Sequence, residues 1–194
     1  VFEDNPYGEL RFSGEAGKSF GYYLGEQACL MGSFSKIVAP GMRLGWIACK
    51  NKELFQKFLN YKCTVDLHTN IFCQIILTEF LAANDLDAHI AKTKELYKAK
   101  AEYMIACLKK YMPEGVEVTN PEGGMFMWAT LPEGLRAVDV YYEAIKKGVA
   151  FCPGDPFYEK ERGVRTMRLN YSNSTDEVIE KGVKILADVI KSMM

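Results

Sequence analysis

The stretch that most limits what this chain can become runs from Gly32 to Trp46. There the polar string Ser33-Phe34-Ser35-Lys36 and the turn Pro40-Gly41-Met42-Arg43 lie between two apolar runs, Ala28 to Met31 and Leu44 to Cys49. Short apolar runs bounded by turn residues predict strands. Pro40-Gly41 bends the chain, so Arg43, seven residues after Lys36, can return to the level of the lysine. A fold built on this stretch must hold two hydroxyls, an amine and a guanidinium at one place. Ser33 and Ser35 can donate to an anion's oxygens, and Arg43 offers a planar fork of donors suited to phosphate. Lys36 is a primary amine, and amines are nucleophilic only when neutral, a form that neighbouring positive charge and desolvation both favour. Taken singly, these are a surface lysine, two turn serines and a solvated arginine. Together they predict an anion site with a nucleophile in it.

Upstream, Val1 to Asp4 reads as the end of a buried strand, followed by Asn5-Pro6-Tyr7. Asp4 would then sit where open α/β sheets bind ligands, beyond the carboxyl ends of their strands. Because the chain opens on Val1, inside that strand, further sequence and any targeting segment on it are expected ahead of it. Gly8 to Glu26, with five glycines and mixed charges, is expected to be a surface connection. Its Gly17-Lys18 pair does not make a P-loop, because the position five residues before Gly17 is Phe12 and not glycine.

The string Ser33 to Trp46 resembles the cofactor-lysine segment of the fold type I, pyridoxal-phosphate-dependent class I/II aminotransferases, which carries Ser-x-Ser-Lys and then Pro-Gly-x-Arg-x-Gly. Asp4 and Tyr7 match the same family's Asp-x-x-Tyr. The resemblance implies that Lys36 is the catalytic lysine bearing pyridoxal 5'-phosphate, and that Ser33, Ser35 and Arg43 hold its phosphate. It further implies that Asp4 pairs with the protonated pyridine nitrogen and that Tyr7 bonds the phenolic oxygen. A carboxylate at that nitrogen keeps the ring electron-poor, as carbanion chemistry requires. The implied fold class is α/β: the C-terminal part of the large domain, with a mostly parallel sheet, followed by a small α+β C-terminal domain. The implied activity is transfer of an amino group between an amino acid and a 2-oxo acid by a homodimer. A lyase or decarboxylase on the same scaffold, or the effector domain of a helix-turn-helix regulator, shares the motif. The opening Asn5 to Phe12 and the Gly123-Gly124-Met125-Phe126 run look most like the branch containing aminoadipate, kynurenine and aromatic aminotransferases. In that family the cofactor lysine lies past the middle, so this chain corresponds to about the C-terminal half. By itself, without the helix that caps the phosphate, the stacking aromatic ring and the Asn of the other half, it is not expected to be a competent enzyme.

The remaining chain alternates helical and strand patterns. Asn51 is a plausible cap for a helix carrying Leu54, Phe55, Phe58 and Leu59 on one face, and the segment Asp66 to Asn70 breaks the pattern. His68 there reads as a loop residue, and Thr69 and Asn70 are candidates for contact with a neighbouring subunit. A second helix is predicted from Ile71 to Ala83. Asp85 can cap a long helix to Tyr111 with a stripe of Ile90, Tyr97, Ala101, Met104 and Leu108, ended by Pro113. These give three segments: 1–84 in the large domain, 85–114 as an interdomain helix and 115–194 as the small domain. In the last, strands are predicted at Val116 to Val118, Met125 to Thr130, Val149 to Phe151 and Thr166 to Tyr171. Helices are predicted at Val138 to Lys147 and after Ser174 or Asp176, the latter burying Ile179, Val183, Leu186 and Ile190.

Arg168 stands inside an otherwise apolar strand, where a guanidinium is costly to bury unless it meets an anion. A structural ion pair would serve as well as a ligand. The resemblance implies that Arg168 binds the substrate α-carboxylate, because it matches the family's Arg-Leu-x-Tyr/Phe-Ser. Arg165, at odd spacing, should face the other side.

Composition narrows the remaining classes. The net charge of −1 gives no field that favours nucleic acid or an anionic membrane, so neither is expected as a partner. The six cysteines have no metal-ligand spacing and only two histidines accompany them, so no metal site is expected. They read as buried free thiols, which suits a cytoplasmic protein.

Overall fold

The computed structural model describes residues 1–159 and 163–194. The chain divides into two compact units, Val1–Lys94 and Glu95–Met194.

The first unit is built on three strands, β1 (Phe2–Asp4), β2 (Cys29–Ser33) and β3 (Gly45–Cys49), in that order across the sheet. β1 runs parallel to β2, with Asp4 opposite Met31, and β3 runs antiparallel to β2, with Gly45 opposite Ser33. The sheet of the described residues thus has one parallel and one antiparallel pair. Among the described residues β1 pairs with β2 alone, and Phe2 and Asp4 are exposed. The connection from Gly8 to Glu26 is more ordered than a plain surface loop. A 3₁₀ turn at Gly8–Leu10 follows Tyr7 and buries Leu10 completely. The helix α1 (Phe20–Leu24) receives a carboxylate of β1 at its start, where the Phe20 amide donates to Glu3 Oε2 at 2.7 Å. An acceptor there satisfies an orphan amide at a positive helix end.

Two helices follow, each capped by an asparagine. Asn51 Oδ1 accepts from the Leu54 amide at 2.9 Å at the head of α2 (Lys52–Val65), and Asn70 Oδ1 from the Cys73 amide at 3.2 Å at the head of α3 (Ile71–Ala83). The chain turns between them through Leu67 in the left-handed region, φ 61°. Asp85 Oδ1 caps α4 (Leu86–Tyr111) through the Ala88 amide at 3.1 Å, and Ile90, Ala101, Met104 and Leu108 of its stripe are buried.

The second unit has a four-stranded antiparallel sheet with the order β4 (Glu117–Val118), β5 (Phe126–Thr130), β7 (Thr166–Asn170) and β6 (Cys152–Pro153). The third strand lies later than Val149 to Phe151. The Val149 amide still bonds Ala144 O at the end of α5 (Ala137–Lys146), so pairing with β7 begins only at Cys152. Alternation sends Met127, Ala129, Met167 and Leu169 into the core. They share it with Ile179, Val183, Leu186 and Ile190 of α6 (Asp176–Met193). The cap of α6 is Thr175, not Ser174 or Asp176, with its hydroxyl accepting from the Val178 amide.

All six cysteines are free, but only Cys29 and Cys107 are buried, and burial pushes both thiols up. Cys63 is exposed because α2 buries none of its residues. Among the described residues no cluster of His, Cys, Asp or Glu could hold a metal, and no helix is long and apolar enough to cross a membrane.

Candidate functional site

Strand direction brings the first group of residues together. β1 and β2 are parallel, so Asp4 and Ser33 end at the same edge, and β3 begins there. The Asn5 amide continues the ladder by donating to Met31 O at 3.1 Å, which carries the chain past the sheet toward Tyr7.

After Ser33 the chain closes one tight turn. The Phe34 carbonyl accepts from the amides of Val38 (2.8 Å) and Ala39 (3.1 Å), while the Phe34 amide donates to Leu44 O (3.1 Å). Ser35, Lys36 and Ile37 are thereby carried on a single turn clamped at both ends. Lys36 is half-buried, and its Nζ lies 5.6 Å from the centre of the Tyr7 ring. The Ser33 hydroxyl oxygen accepts from the Ser35 amide at 3.1 Å. That uses a lone pair and leaves the hydroxyl hydrogen to donate elsewhere. Arg43 closes the 3₁₀ turn Pro40–Met42 in the left-handed conformation, φ 56°, and one of its terminal nitrogens donates to Pro40 O at 3.2 Å. The arginine is exposed, at the same end of the sheet as the serines.

Two glycines of the segment are required by close approach. Trp46 lies opposite Gly32 across β2 and β3, and a Cβ on Gly32 would fall 2.4 Å from the indole. A Cβ on Gly45 would fall 2.9 Å from the Gly32 carbonyl oxygen, a backbone atom that can move only with its strand. A cavity of about 200 Å³ lined by Asn5, Ser33, Phe34, Trp46 and others opens beside Ser33.

Arg168 belongs to the second unit and stands on β7 between Trp128 of β5 and Cys152 of β6. Thr166, Arg168 and Asn170 share the face opposite the buried Met167 and Leu169. Among the described residues no carboxylate lies within salt-bridge reach of Arg168, and its Nε is buried without a hydrogen-bond partner. Its guanidinium rests instead on aromatic rings, 4.2 Å from the centre of Phe126 and 4.7 Å from that of Phe157. Asp155 Oδ2 is also buried without a partner. A cavity of about 410 Å³ reaches Arg168, with Phe126, Cys152 and Asn170 in its wall.

Asp4, Tyr7, Ser33, Ser35, Lys36 and Arg43 therefore come from one end of one sheet, and Arg168 is placed on another. Three further residues bear on this part of the chain. Phe126, at the end of the Gly123-Gly124-Met125-Phe126 run, shares a face with Trp128 beside Arg168. Phe157 ends the run Pro153-Gly154-Asp155-Pro156-Phe157 and lies against the guanidinium. Tyr171 is fully buried and donates its hydroxyl to Gly124 O at 2.8 Å, anchoring the paired glycines that precede β5; burial raises this phenol well above its ordinary range.

Residues 2–186 match the family model of aminotransferase class I and II. The chain is 45% identical over 195 residues to aromatic-amino-acid aminotransferase 1 of Thermococcus litoralis, covering 100% of this chain and 46% of that protein. It is 35% identical over 199 residues to 2-aminoadipate transaminase of Thermus thermophilus, covering 100% of this chain and 49% of that one. It superposes on the crystal structure of Pyrococcus horikoshii kynurenine aminotransferase, solved in complex with PMP, with a TM-score of 0.93 and 40% identity, covering 100% of this chain and 48% of that one. The chain thus spans about half the length of the relatives it matches.

Proposed function

We propose, for a chain that belongs to the aminotransferase class I and II family, that the whole protein moves an amino group between an amino acid and a 2-oxo acid with pyridoxal 5'-phosphate as cofactor. The observation that carries this reading is the convergence of a half-buried lysine, a phenol, two serines and a carboxylate at one sheet end.

The residues fit that group. A phosphate needs donors, and Ser33 keeps its hydroxyl hydrogen to give while Ser35 and Arg43 add theirs. Asp4, at the exposed end of β1, would hold a ring-nitrogen proton. When bound, the cofactor supplies an aldehyde that couples to amines and a ring that accepts electrons from the carbon losing its proton. Lys36 Nζ would be the amine that holds the cofactor and the base that moves the substrate's α-proton. Tyr7, which leads into the 3₁₀ turn Gly8–Leu10, would donate to the phenolic oxygen. Arg168 receives the α-carboxylate with its fork, which accounts for a guanidinium that no described carboxylate neutralises.

The named relatives act on aromatic amino acids, 2-aminoadipate and kynurenine, and we place this protein's substrates in that range. The same reading includes a homodimer, a cytoplasmic setting consistent with six free thiols, and division of the chain into a large-domain portion (1–84), a connecting helix (85–114) and a small domain (115–194). Borohydride reduction of the whole protein followed by peptide mass analysis tests it, with the cofactor mass expected on the peptide containing Lys36. Lys36→Ala should lose both turnover and the visible absorption band. A variant that kept both would overturn the assignment.

A further inference from the structure

We infer that Phe126 and Phe157 are positioning residues for Arg168, holding its guanidinium in one orientation so that its terminal N–H groups meet the substrate carboxylate ready-placed. The inference rests on the reading of Arg168 as the carboxylate receptor. An arginine on a sheet is ordinarily oriented by a carboxylate, which also neutralises it. Here the described residues offer none, and Nε is buried with no acceptor. The guanidinium carbon is instead 4.2 Å and 4.7 Å from two ring centres.

Rings differ from a carboxylate in one way that matters to a receptor. They attract the cation through their faces without consuming its N–H donors or its charge, so both remain for an anionic ligand. An orientation fixed beforehand also removes part of the ordering cost of binding. Each ring is itself held. Phe126 is the first residue of β5, one residue beyond the glycines that Tyr171 anchors. Phe157 closes the 3₁₀ turn Asp155–Phe157 and meets Trp128 edge-on, centres 5.3 Å apart at 90°. Trp128 in turn lies beside Arg168 in the β5–β7 register. The guanidinium also borders the cavity of about 410 Å³, so a ligand has room to approach.

The test uses the whole cofactor-loaded protein and a carboxylate that cannot react, 3-phenylpropanoate, with 3-phenylpropan-1-ol as its carboxyl-free control. Phe157→Leu should weaken the carboxylate by roughly fivefold, within a range of about two- to thirtyfold set by how dry the contact is. The alcohol should bind as to the wild type. Phe157→Tyr should restore carboxylate affinity, and in turnover Phe157→Leu should raise KM for the amino acid more than it lowers kcat. Phe157 is 47% exposed, so this variant folds even if Phe126→Leu does not. Wild-type carboxylate affinity in Phe157→Leu, or equal losses in the Leu and Tyr variants, would overturn the positioning role. Arg168→Lys separates the two claims. If it binds 3-phenylpropanoate as tightly as the wild type, the carboxylate-receptor reading itself fails; if it alone weakens binding, only the ring inference fails.

Discussion

Replacing Tyr171 with Phe removes one oxygen from the centre of the second unit and leaves the packing untouched. The side chain is fully buried, its ring lies edge-on to Tyr97 with centres 6.4 Å apart, and its hydroxyl donates to Gly124 O at 2.8 Å. A neutral hydrogen bond of this kind contributes about 1 kcal/mol net. Gly124 is half-exposed, so its carbonyl can regain water and the loss should stay near that figure. In a chain of 194 residues, a loss of about 1 kcal/mol lowers the melting temperature by roughly 2–4 °C. Tyr171→Ala also removes the ring and should cost about 3–5 kcal/mol. The sign of the pH dependence follows from burial. The folded phenol is held above its ordinary value, so its stabilising contribution is complete below about pH 10 and is lost as pH rises beyond that. Thermal melts of the three proteins, with ultraviolet phenolate titrations of the wild type and the Phe variant, measure both effects. The folded wild type should keep Tyr171 protonated after its exposed tyrosines have ionised. A Tyr171→Phe protein that melts with the wild type, or a wild type whose Tyr171 ionises near pH 10 while still folded, would refute the reasoning.

Gly45→Ala should be worse than an ordinary strand substitution, because its Cβ would lie 2.9 Å from the Gly32 carbonyl oxygen and must push β2 from β3. A destabilisation of about 1–3 kcal/mol with weakened cofactor retention is expected, read by denaturant unfolding and visible absorbance. In the second unit, Tyr111 and Lys184 hold the Glu180 carboxyl below its ordinary range. Its contribution is therefore present above about pH 4.5 and lost as pH falls through the lower folded value, so Glu180→Gln should flatten the acid limb of the stability profile. An unchanged acid limb in that variant would show that the Tyr111–Glu180–Lys184 contact is screened out in solution.

How much could be read in advance depends on the range of the interaction. Asn51 and Asp85 each cap a helix through an amide three residues away, and such contacts are written in neighbouring residues. The stripe of α6 and the polar turn around Lys36 are local in the same sense, since helical period and turn chemistry need no distant partner. Strand direction did the rest for the lysine site: once β1 is parallel to β2, Asp4 and Ser33 must end together. Other features depended on which strands paired and in what register. β6 starts at Cys152 because that residue meets Arg168, a relation no periodicity contains. Burial of Leu10, the glycine demand at Gly32 and Gly45, and the two rings around Arg168 all arise between residues far apart in the chain. The order of residues determined which chemical groups the protein owns and which short segments carry them. The tertiary structure decided what surrounds each group, because close approach, desolvation and ring contact exist only after distant segments have met.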